Sequence, residues 1–379
     1  MSASVVVNLL WLVPGRVGGS EESTVASLHG LAELGPPDLD LQLLVLESFA
    51  DAHPEVVATI PTEVLRISGK VRPVRVAAEA TWLSGHTRDA DLVHHAGGTA
   101  PPGRRAPYVL TLHDLQPLLD ASASGGAGAR THGPLKRTYL RTVVPRSLRG
   151  ARRVVVPSRF VRDTVLAQTD LDPSRVVVVP HGVERGPATG PADLVARYGI
   201  DGPVVLYPAI TYPHKDHATL VEAFARVLVD HPAALLVLPG RPDAAEPDLV
   251  AQIERLGIAG RVRRPGRIPA ADVNGLYDIA ALVAVPSRYE GFGLPAVEGM
   301  VHGVPVVASD ATSLPEVVGD AGILVAAGDV EGWAAAVGGL LGDPRQRTRL
   351  AAAGLQRAKG FGRAANATAL AEVYRAALP

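Results

Sequence analysis

The sequence predicts an α/β protein of two domains, each built on an open, doubly wound parallel sheet. Short apolar runs alternate with longer segments of helical period, which is the pattern of strand–helix units. The strand runs are nearly continuous Val and Leu, as expected of parallel strands buried on both faces. At 379 residues the chain is too long for one ordinary core and suits two.

The first half contains six candidate strands with helical segments between them. They are Val5–Leu10, Leu41–Leu46, Leu92–His94, Tyr108–Leu112, Arg153–Val156 and Val176–Val179. The first apolar run ends in a Pro-Gly turn and no basic residue precedes it, so we interpret it as a strand and not as a signal peptide. Glu21–Leu34 is a clear helical segment.

The alternation stops at a Gly/Pro-rich stretch, Glu184–Ala192, and then begins again. The second set of candidate strands is Val204–Tyr207, Ala234–Leu238, Arg261–Arg263, Ala281–Val285, Val304–Ala308 and Gly322–Val325. We therefore predict domains over residues 1–183 and 193–360, a hinge linker over 184–192, and a terminal helical segment over 361–379.

The composition excludes several classes of function. The formal net charge of −1 gives no field that favours nucleic acid as a partner. The absence of cysteine excludes disulfides, cysteine nucleophiles and thiolate metal sites, and it fits a reducing interior. No apolar run approaches the roughly 20 residues that span a bilayer. We expect a cytoplasmic protein whose only membrane contact is peripheral, at the inner face.

Residues 130–153 carry eight Lys and Arg and no acidic residue. One interpretation is a solvated helix with its apolar face toward the core. The other is an interfacial patch that contacts an anionic membrane or a lipid-linked acceptor. The sequence leaves both open.

The strongest motif runs from Ser287 to Glu298, SRYEGFGLPAVE, after a candidate strand and into a helix that begins near Pro295. Two glycines, Gly291 and Gly293, let the backbone approach a ligand, and the helix N-terminus suits a diphosphate. Glu290 lies on the loop and Glu298 about one turn into the helix, and carboxylates accept well from vicinal sugar hydroxyls. Most glutamates at this spacing are solvated surface charges, but the strand–glycine loop–helix context argues against that interpretation.

These residues resemble the retaining glycosyltransferases of family 4, which have the GT-B fold. Glu290 and Glu298 match the E-x7-E motif of that family, and the surrounding EGFGLPAVEGM, GVPVVASD and LPEVVGDAGILV match its C-terminal signature. The resemblance runs nearly end to end. It implies two Rossmann-like domains that face each other across a cleft, with the terminal helix crossing back to the first domain.

The resemblance also implies roles for residues of the motif. Glu290 is expected to act in catalysis by contacting the transferred sugar, and Glu298 to bind the ribose hydroxyls. Gly291 and the backbone of Phe292, Gly293 and Leu294 are expected to meet the sugar and the phosphates.

A second candidate site is YPAITYPHKDH, Tyr207–His217, after the first strand of the second half. Ligands of doubly wound sheets bind at this carboxyl edge, where a lysine can neutralise the charge of a leaving phosphate. Lys215 matches the phosphate-binding lysine of the family; the alternative is that it only caps or solvates a turn. Many members carry an arginine where this chain has Ala209.

Other residues could line the donor site, and a basic one among them could supply the positive charge that is missing at Ala209. The candidates are His214, Arg241, Arg267 and its neighbour Ile268. A metal site at His214 and His217 is a weaker interpretation, because no third ligand is evident.

The first half offers a glycine pair, Gly18 and Gly19, after the first strand, and it matches the N-terminal glycine pair of the family. A plain turn is the alternative. His113 and Asp114 end a later strand at the same edge; the family has a histidine here that touches a sugar hydroxyl, although a lone histidine is more often structural. We expect His113 to act in catalysis. Asp114 and Ser20 are expected to lie near the acceptor, although Asp114 could instead orient the ring of His113.

We therefore predict a metal-independent, cofactor-free retaining glycosyltransferase of glycan or polysaccharide assembly. The family analogy favours a hexose, mannose first, and GDP-mannose over UDP-sugars, with a glycan, lipid-linked or small-molecule acceptor. One alternative is a nucleotide-sugar-binding protein without transfer activity, motivated by Ala209. The other is a nicotinamide-dependent enzyme or an epimerase on a related fold, which the absence of a G-x-G-x-x-G fingerprint disfavours.

Overall fold

The computed structural model describes residues 2–16, 18–101, 106–115 and 134–379, with the backbone alone for Arg72 and residues 134–139. The described residues form two compact units. The N-terminal unit takes residues up to 182 and from 362 onward, and the C-terminal unit takes residues 183–361.

The N-terminal unit is a parallel sheet with helices along the chain between its strands. Its strands are β1 (Ala3–Asn8), β2 (Leu39–Leu46), β3 (Thr62–Leu65), β4 (Leu92–His95), β5 (Tyr108–Thr111), β6 (Arg153–Val156) and β7 (Val176–Val178). Its helices are α1 (Gly19–Leu34), α2 (Glu47–Ala52), α3 (Pro54–Val57), α4 (Arg72–His86), α5 (Pro134–Gly150) and α6 (Arg159–Gln168). The strand order is β3-β2-β1-β4-β5-β6-β7.

The C-terminal unit repeats this design. Its strands are β8 (Val204–Leu206), β9 (Leu235–Pro239), β10 (Val262–Gly266), β11 (Ala280–Val285), β12 (Val306–Ser309) and β13 (Ile323–Val325), in the order β10-β9-β8-β11-β12-β13. Its helices are α7 (Pro191–Tyr198), α8 (His217–Asp230), α9 (Glu246–Arg255), α10 (Ala270–Ile279), α11 (Leu294–Val301), α12 (Leu314–Val318), α13 (Val330–Gly342) and α14 (Pro344–Ala358). Short 3-10 turns cover Pro173–Arg175, Pro213–Lys215, Ala259–Arg261, Gly319–Ala321 and Lys359–Phe361.

The pairings in both sheets are parallel among the described residues, and their central strands are buried on both faces. This confirms the two doubly wound sheets. The twelve candidate strands all form, with ends that differ by at most three residues. The sequence misses β3, because this short edge strand follows Pro61 and its residues are exposed or half-buried, so it lacks an apolar run.

The chain returns to the N-terminal unit in α15 (Arg363–Ala377), which packs on α1 and on the sheet. Its side of the contact is apolar: Leu370, Ala371 and Tyr374 are buried with Leu31 and Val5. Gly30 of α1 has no room for a side chain, because a Cβ there would lie 2.8 Å from Cγ of Arg363. The helix therefore forms part of the core of this unit.

The predicted hinge, residues 184–192, belongs to the C-terminal unit. The backbone N–H of Thr189 donates to Ala271 O at 2.8 Å, and its hydroxyl donates to Oδ1 of Asp272 at 2.6 Å. These bonds attach the segment to α10. Its role as a hinge stays a prediction.

Candidate active site

The two strongest sequence motifs follow neighbouring strands of the C-terminal sheet. Lys215 lies in the loop after β8, and Glu290 in the loop after β11. The strand order reverses between β8 and β11, because β9 and β10 extend from one side and β12 and β13 from the other. In doubly wound sheets the carboxyl edge at this reversal is where ligands bind.

Lys215 and Glu290 are paired. Nζ of Lys215 donates to Oε1 of Glu290 at 2.7 Å, and the side chains are 18% and 9% exposed. The hydroxyl of Ser287 donates to the same oxygen at 2.7 Å. Among the described residues, Oε2 of Glu290 has no hydrogen-bond partner, so this oxygen can accept from a hydroxyl of a ligand.

Tyr207, directly after β8, supports the pair through hydrogen bonds of its hydroxyl group. Its hydroxyl lies 2.8 Å from Oγ of Ser287 and donates to Lys215 O at 3.0 Å. Burial, and then the negative charge of Glu290, raise the pKa of Tyr207 well above its usual range, so the phenol stays protonated. Tyr207 and Ser287 stand inside the two motifs, but the sequence did not mark them as part of the site.

A second set of contacts ties the two loops together. The backbone N–H of Arg288 donates to His214 O at 2.8 Å, and Nε of Arg288 donates to Oδ2 of Asp216 at 2.7 Å. Asp216 is buried and left-handed, with φ of 50°, and its carboxylate also accepts from Thr219. The sequence did not predict this clamp, which holds Lys215 and Glu290 in place from one side.

The glycine loop enters α11 as predicted. Gly293 precedes the helix in a left-handed conformation, with φ of 96°, and a Cβ there would lie 2.6 Å from Cδ2 of Leu314. Phe292 points into the core, 5.5 Å from the ring of Phe361, so only its backbone can meet a ligand. Leu294 begins the helix and is half-buried, and Gly291 is half-buried beside it.

Glu298 lies in the second turn of α11, half-buried. Its Oε2 accepts a hydrogen bond of 2.5 Å from the hydroxyl of Tyr277 in α10. Tyr277 in turn stacks on His302, with ring centroids 5.2 Å apart, and His302 contacts Asp278 at 2.6 Å. Tyr277 therefore holds the carboxylate of Glu298 in one orientation, a role that no sequence motif signalled.

The structure brings Arg241 next to Ala209. The N–H of Ala209 donates to Pro239 O at 3.0 Å, and a Cβ on Gly240 would lie only 2.0 Å from Ala209 O. Nη2 of Arg241 donates to the hydroxyl of Tyr212 at 3.2 Å, and the guanidinium also pairs with Asp243. Arg241 thus stands at the carboxyl edge of β9, beside the position where the sequence lacks a cation.

The remaining donor-site candidates make fewer polar contacts with the described residues. The ring of His214 stacks on Tyr212 at 5.5 Å, and burial lowers its pKa to about 3, so the ring is neutral. Arg267 follows β10 and is exposed, and Ile268 is half-buried against the core. Within the described residues, no three metal-ligating side chains come together. Metal independence stays a prediction.

In the N-terminal unit the strand order reverses between β1 and β4, and the glycine pair follows β1. Gly18 caps α1 with φ of 60°, and Gly19 and Ser20 form its first residues. Glu21 was not predicted as a site residue: its Oε2 accepts from Gly15 N at 2.6 Å and its Oε1 lies 3.1 Å from Nε2 of His53. Glu21 therefore supports the loop before the glycine pair.

His113 follows β5 in the same unit. Its Nε2 donates to Ala96 O at 3.1 Å, its ring lies 5.6 Å from Trp11 and 5.5 Å from His181, and burial lowers its pKa to about 4. Asp114 is half-buried, and its role beside His113 stays a prediction. The backbone carbonyl of Ala96 accepts from the ring and helps to orient it.

Helix α5 contains part of the predicted basic segment; residues 130–133 lie outside the described ranges. Val144 and Leu148 are buried, whereas Arg141, Arg146 and Arg149 are exposed. Over these residues the apolar face packs in the core, as the first interpretation expects. Among the described residues no helix is long and apolar enough to cross a bilayer, and peripheral contact stays a prediction.

Comparison with known proteins agrees with this geometry. The profile of Glycosyltransferase Family 4 matches residues 17–186, and that of Glycosyl transferases group 1 matches residues 196–357. The chain belongs to glycosyltransferase family 4. This confirms the resemblance that the E-x7-E motif predicted and makes the protein a glycosyltransferase.

Curated relatives of this glycosyltransferase align along most of its length. The D-inositol 3-phosphate glycosyltransferase of Thermobispora bispora is 35% identical over 96% of this chain and 91% of its own. That of Kineococcus radiotolerans is 31% identical over 80% and 70%. The O-antigen chain mannosyltransferase B of Escherichia coli is 30% identical over 72% and 71%.

Solved structures confirm the GT-B fold of the glycosyltransferase. Anabaena HepE in complex with UDP and glucose matches with a TM-score of 0.75, at 22% identity over 98% of this chain and 99% of the other. The sucrose-phosphate synthase of Thermosynechococcus elongatus matches with a TM-score of 0.74, at 19% identity over 98% of each chain.

Proposed function

We propose that this glycosyltransferase moves a hexosyl group from a nucleoside-diphosphate sugar to an acceptor hydroxyl, with retention at the anomeric carbon and without a metal ion. The observation that carries the proposal is the Lys215–Glu290 pair at the strand reversal of the C-terminal sheet. A cation and a carboxylate 2.7 Å apart suit a ligand that is anionic at one end and hydroxylated at the other.

Lys215 provides the positive charge for the leaving diphosphate. In the transfer step the bond between the anomeric carbon and the diphosphate oxygen breaks, and the acceptor oxygen bonds to that carbon on the same face. The acceptor proton passes to the departing phosphate. Negative charge grows on the phosphate as its bond to the anomeric carbon breaks. Nζ of Lys215 and the N-terminal amides of α11 stabilise this charge.

The two glutamates orient the donor. Oε2 of Glu290 is available to a sugar hydroxyl, because Lys215 and Ser287 both donate to Oε1. Glu298, held by Tyr277, is one turn further along α11 and suits the ribose. His113 in the N-terminal unit, neutral at pH 7, is proposed to contact the reacting sugar.

Two sugar donors are the candidates to test first. HepE has been solved with UDP-glucose, whereas the E. coli relative is a mannosyltransferase. The sequence-based preference for GDP-mannose gains no support from these comparisons, so the base and sugar are open. The acceptor is proposed to be a polyol ring, which covers glycans, lipid-linked sugars and the inositol phosphate that the names of several relatives mention.

Donor binding and donor hydrolysis together test the proposal. GDP-mannose and UDP-glucose are titrated with EDTA present, and nucleotide release is followed for the wild type, Lys215→Ala and the exposed control Lys359→Ala. We expect one donor to bind and to be hydrolysed slowly, and only Lys215→Ala to lose this activity. Binding without release would identify a nucleotide-sugar-binding protein instead, and loss of activity in EDTA would contradict metal independence.

A further inference from the structure

A small cavity of about 40 Å³, lined by both polar and apolar side chains, lies inside the N-terminal unit, next to His113. Residues of α1, of the strands β4 and β5, and of α15 contribute to its lining. Its polar lining residues are Ser23, Thr24, Ser27, His94, Thr111, His113, His181, Asn366 and Tyr374. The function proposed above uses His113 but leaves the cavity unexplained.

Asn366 presents an unsatisfied acceptor here. Its Nδ2 donates to Pro180 O at 2.6 Å, and because a carbonyl can only accept, this bond fixes which way the amide points. Its Oδ1 is buried and has no partner among the described residues, and the residue is only 6% exposed. A buried oxygen without a donor is costly, so it calls for a donor inside the cavity.

His113 presents a second acceptor. The hydrogen on Nε2 is committed to Ala96 O, and the neutral ring therefore carries a lone pair on Nδ1. That atom is also buried without a hydrogen-bond partner in the described part of the chain. Two acceptors thus line one cavity.

The hydroxyl groups of α1 cannot serve as the missing donors. Thr24 and Ser23 both donate to Ser20 O, and Ser27 donates to Ser23 O. His94 is also satisfied, since Nδ1 pairs with the hydroxyl of Tyr374 at 2.8 Å and Nε2 with that of Thr111 at 2.7 Å. No group of the described residues donates to Oδ1 of Asn366 or Nδ1 of His113, so an occupant of the cavity must supply these donors.

Water meets this requirement, because each molecule has two donors and accepts as well. A cavity of this volume holds about three or four waters, since one water needs roughly 10–15 Å³ of such space. We propose that the cavity holds an ordered water cluster that donates to Oδ1 of Asn366 and Nδ1 of His113, so that Asn366 is a positioning residue for His113. The second part rests on the proposed function, in which His113 meets the substrate.

The water cluster predicts a defined state of His113. A donor at Nδ1 keeps the proton on Nε2 and holds the ring against Ala96. Asn366→Leu removes the acceptor and fills space, whereas Ser27→Leu expels water from the α1 side and leaves Asn366 and His113 intact. Thr368→Val, at an exposed position of the same helix, is the control.

The test combines histidine-selective ¹⁵N NMR, water–protein NOEs and transfer kinetics on the full chain. We expect wild type and Thr368→Val to show the Nε2-protonated, hydrogen-bonded ring and NOEs from buried water. Asn366→Leu and Ser27→Leu should lose the water signals and the single tautomer, and kcat should fall about tenfold with the donor KM unchanged. No buried water in the wild type, or an unchanged His113 spectrum in either variant, would overturn the inference whether or not the protein transfers sugar.

Discussion

Nζ of Lys215 lies 2.7 Å from Oε1 of Glu290, although the two residues are 75 positions apart in the chain. The loops after β8 and β11 bring them together at the strand reversal. Because both side chains are largely removed from water, the charge of each one is neutralised mainly by the other until a ligand enters. Loss of either one leaves the other poorly compensated.

Lys215→Ala is expected to lower kcat roughly 100- to 1000-fold, because the leaving diphosphate loses its positive charge. Glu290→Gln should also lower kcat, since it keeps the shape of the side chain but not its charge. Nucleotide release under saturating donor measures both. Full activity in Lys215→Ala would mean that another cation, Arg241 first, stabilises the phosphate.

Tyr277→Phe is expected to weaken donor binding about tenfold with little effect on kcat. The substitution removes the 2.5 Å hydrogen bond that holds Glu298, and a bond to a charged group is worth about 1.5–3 kcal/mol. Isothermal titration with the nucleoside diphosphate measures the change. Tyr198→Phe is the matched control, because its hydroxyl donates to Asp272 over the same distance; equal losses in both variants would contradict the role of Glu298.

Gly293→Ala is expected to destabilise the protein by more than its backbone strain alone. A non-glycine residue at φ of 96° costs about 1 kcal/mol or more, and the new Cβ would also press on Leu314. Gly257→Ala separates the two effects, because Gly257 has φ of 68° but no atom within 4 Å of its Cβ position. Thermal unfolding should show the larger loss at Gly293, with weaker donor binding; equal losses would remove the case for close packing there.

Stability is expected to fall as the pH drops below 6.5. Burial lowers the pKa of His94 from 6.5 to about 3, so between these values the unfolded chain binds a proton that the folded chain does not. Stability is therefore full above pH 6.5 and declines toward pH 3, by roughly 2.5 kcal/mol for this group at pH 4.5. His113, His181, His214 and His217 shift in the same direction.

Urea denaturation at pH 7 and pH 4.5 measures this dependence. His94→Gln should reduce the difference between the two free energies of unfolding, whereas His86→Gln, at an exposed histidine, should leave it unchanged. If the difference between the free energies of unfolding at pH 7 and pH 4.5 is as large in His94→Gln as in the wild type, the acid sensitivity comes from the other histidines.

Peripheral membrane contact through α5 is a separate prediction. The exposed charges Arg141, Arg146 and Arg149 are each worth about 1 kcal/mol near an anionic surface. Reversing all three to Glu should abolish sedimentation with phosphatidylglycerol vesicles. The same reversal at Arg345, Arg349 and Lys359 serves as the control, and equal losses would mean that the binding follows net charge and not α5.

The sequence predicts most of the fold because the buried strands leave an apolar signal. Val204–Leu206 and Ala280–Val285 are apolar throughout, whereas β3 begins with the polar residues Thr62 and Glu63 and follows a proline. Strand order leaves no such signal, since it depends on how the helices pack. Lys215 and Glu290 could therefore be predicted singly, from motifs and the edge at which strands end, but not as an ion pair.

The contacts that support the site were the least predictable part. Tyr277 and Glu298 are 21 residues apart, and Arg288 and Asp216 are 72 apart. Nothing local in the sequence distinguishes this tyrosine from other tyrosines in helices, or this arginine from other arginines in loops. Their roles come from tertiary packing, as does the cavity beside His113, which needs α15 as its wall.

The position of α15 has a consequence for how the protein is made. The ribosome must synthesise residues 183–361, an entire second unit, before the helix that completes the core of the first unit emerges. Until then Leu31 and Val5 face solvent where Tyr374 will pack, so nascent chains expose an apolar surface for the time needed to translate about half of the sequence. This interval is where a chaperone would act on the chain, and removal of α15 would prolong it indefinitely.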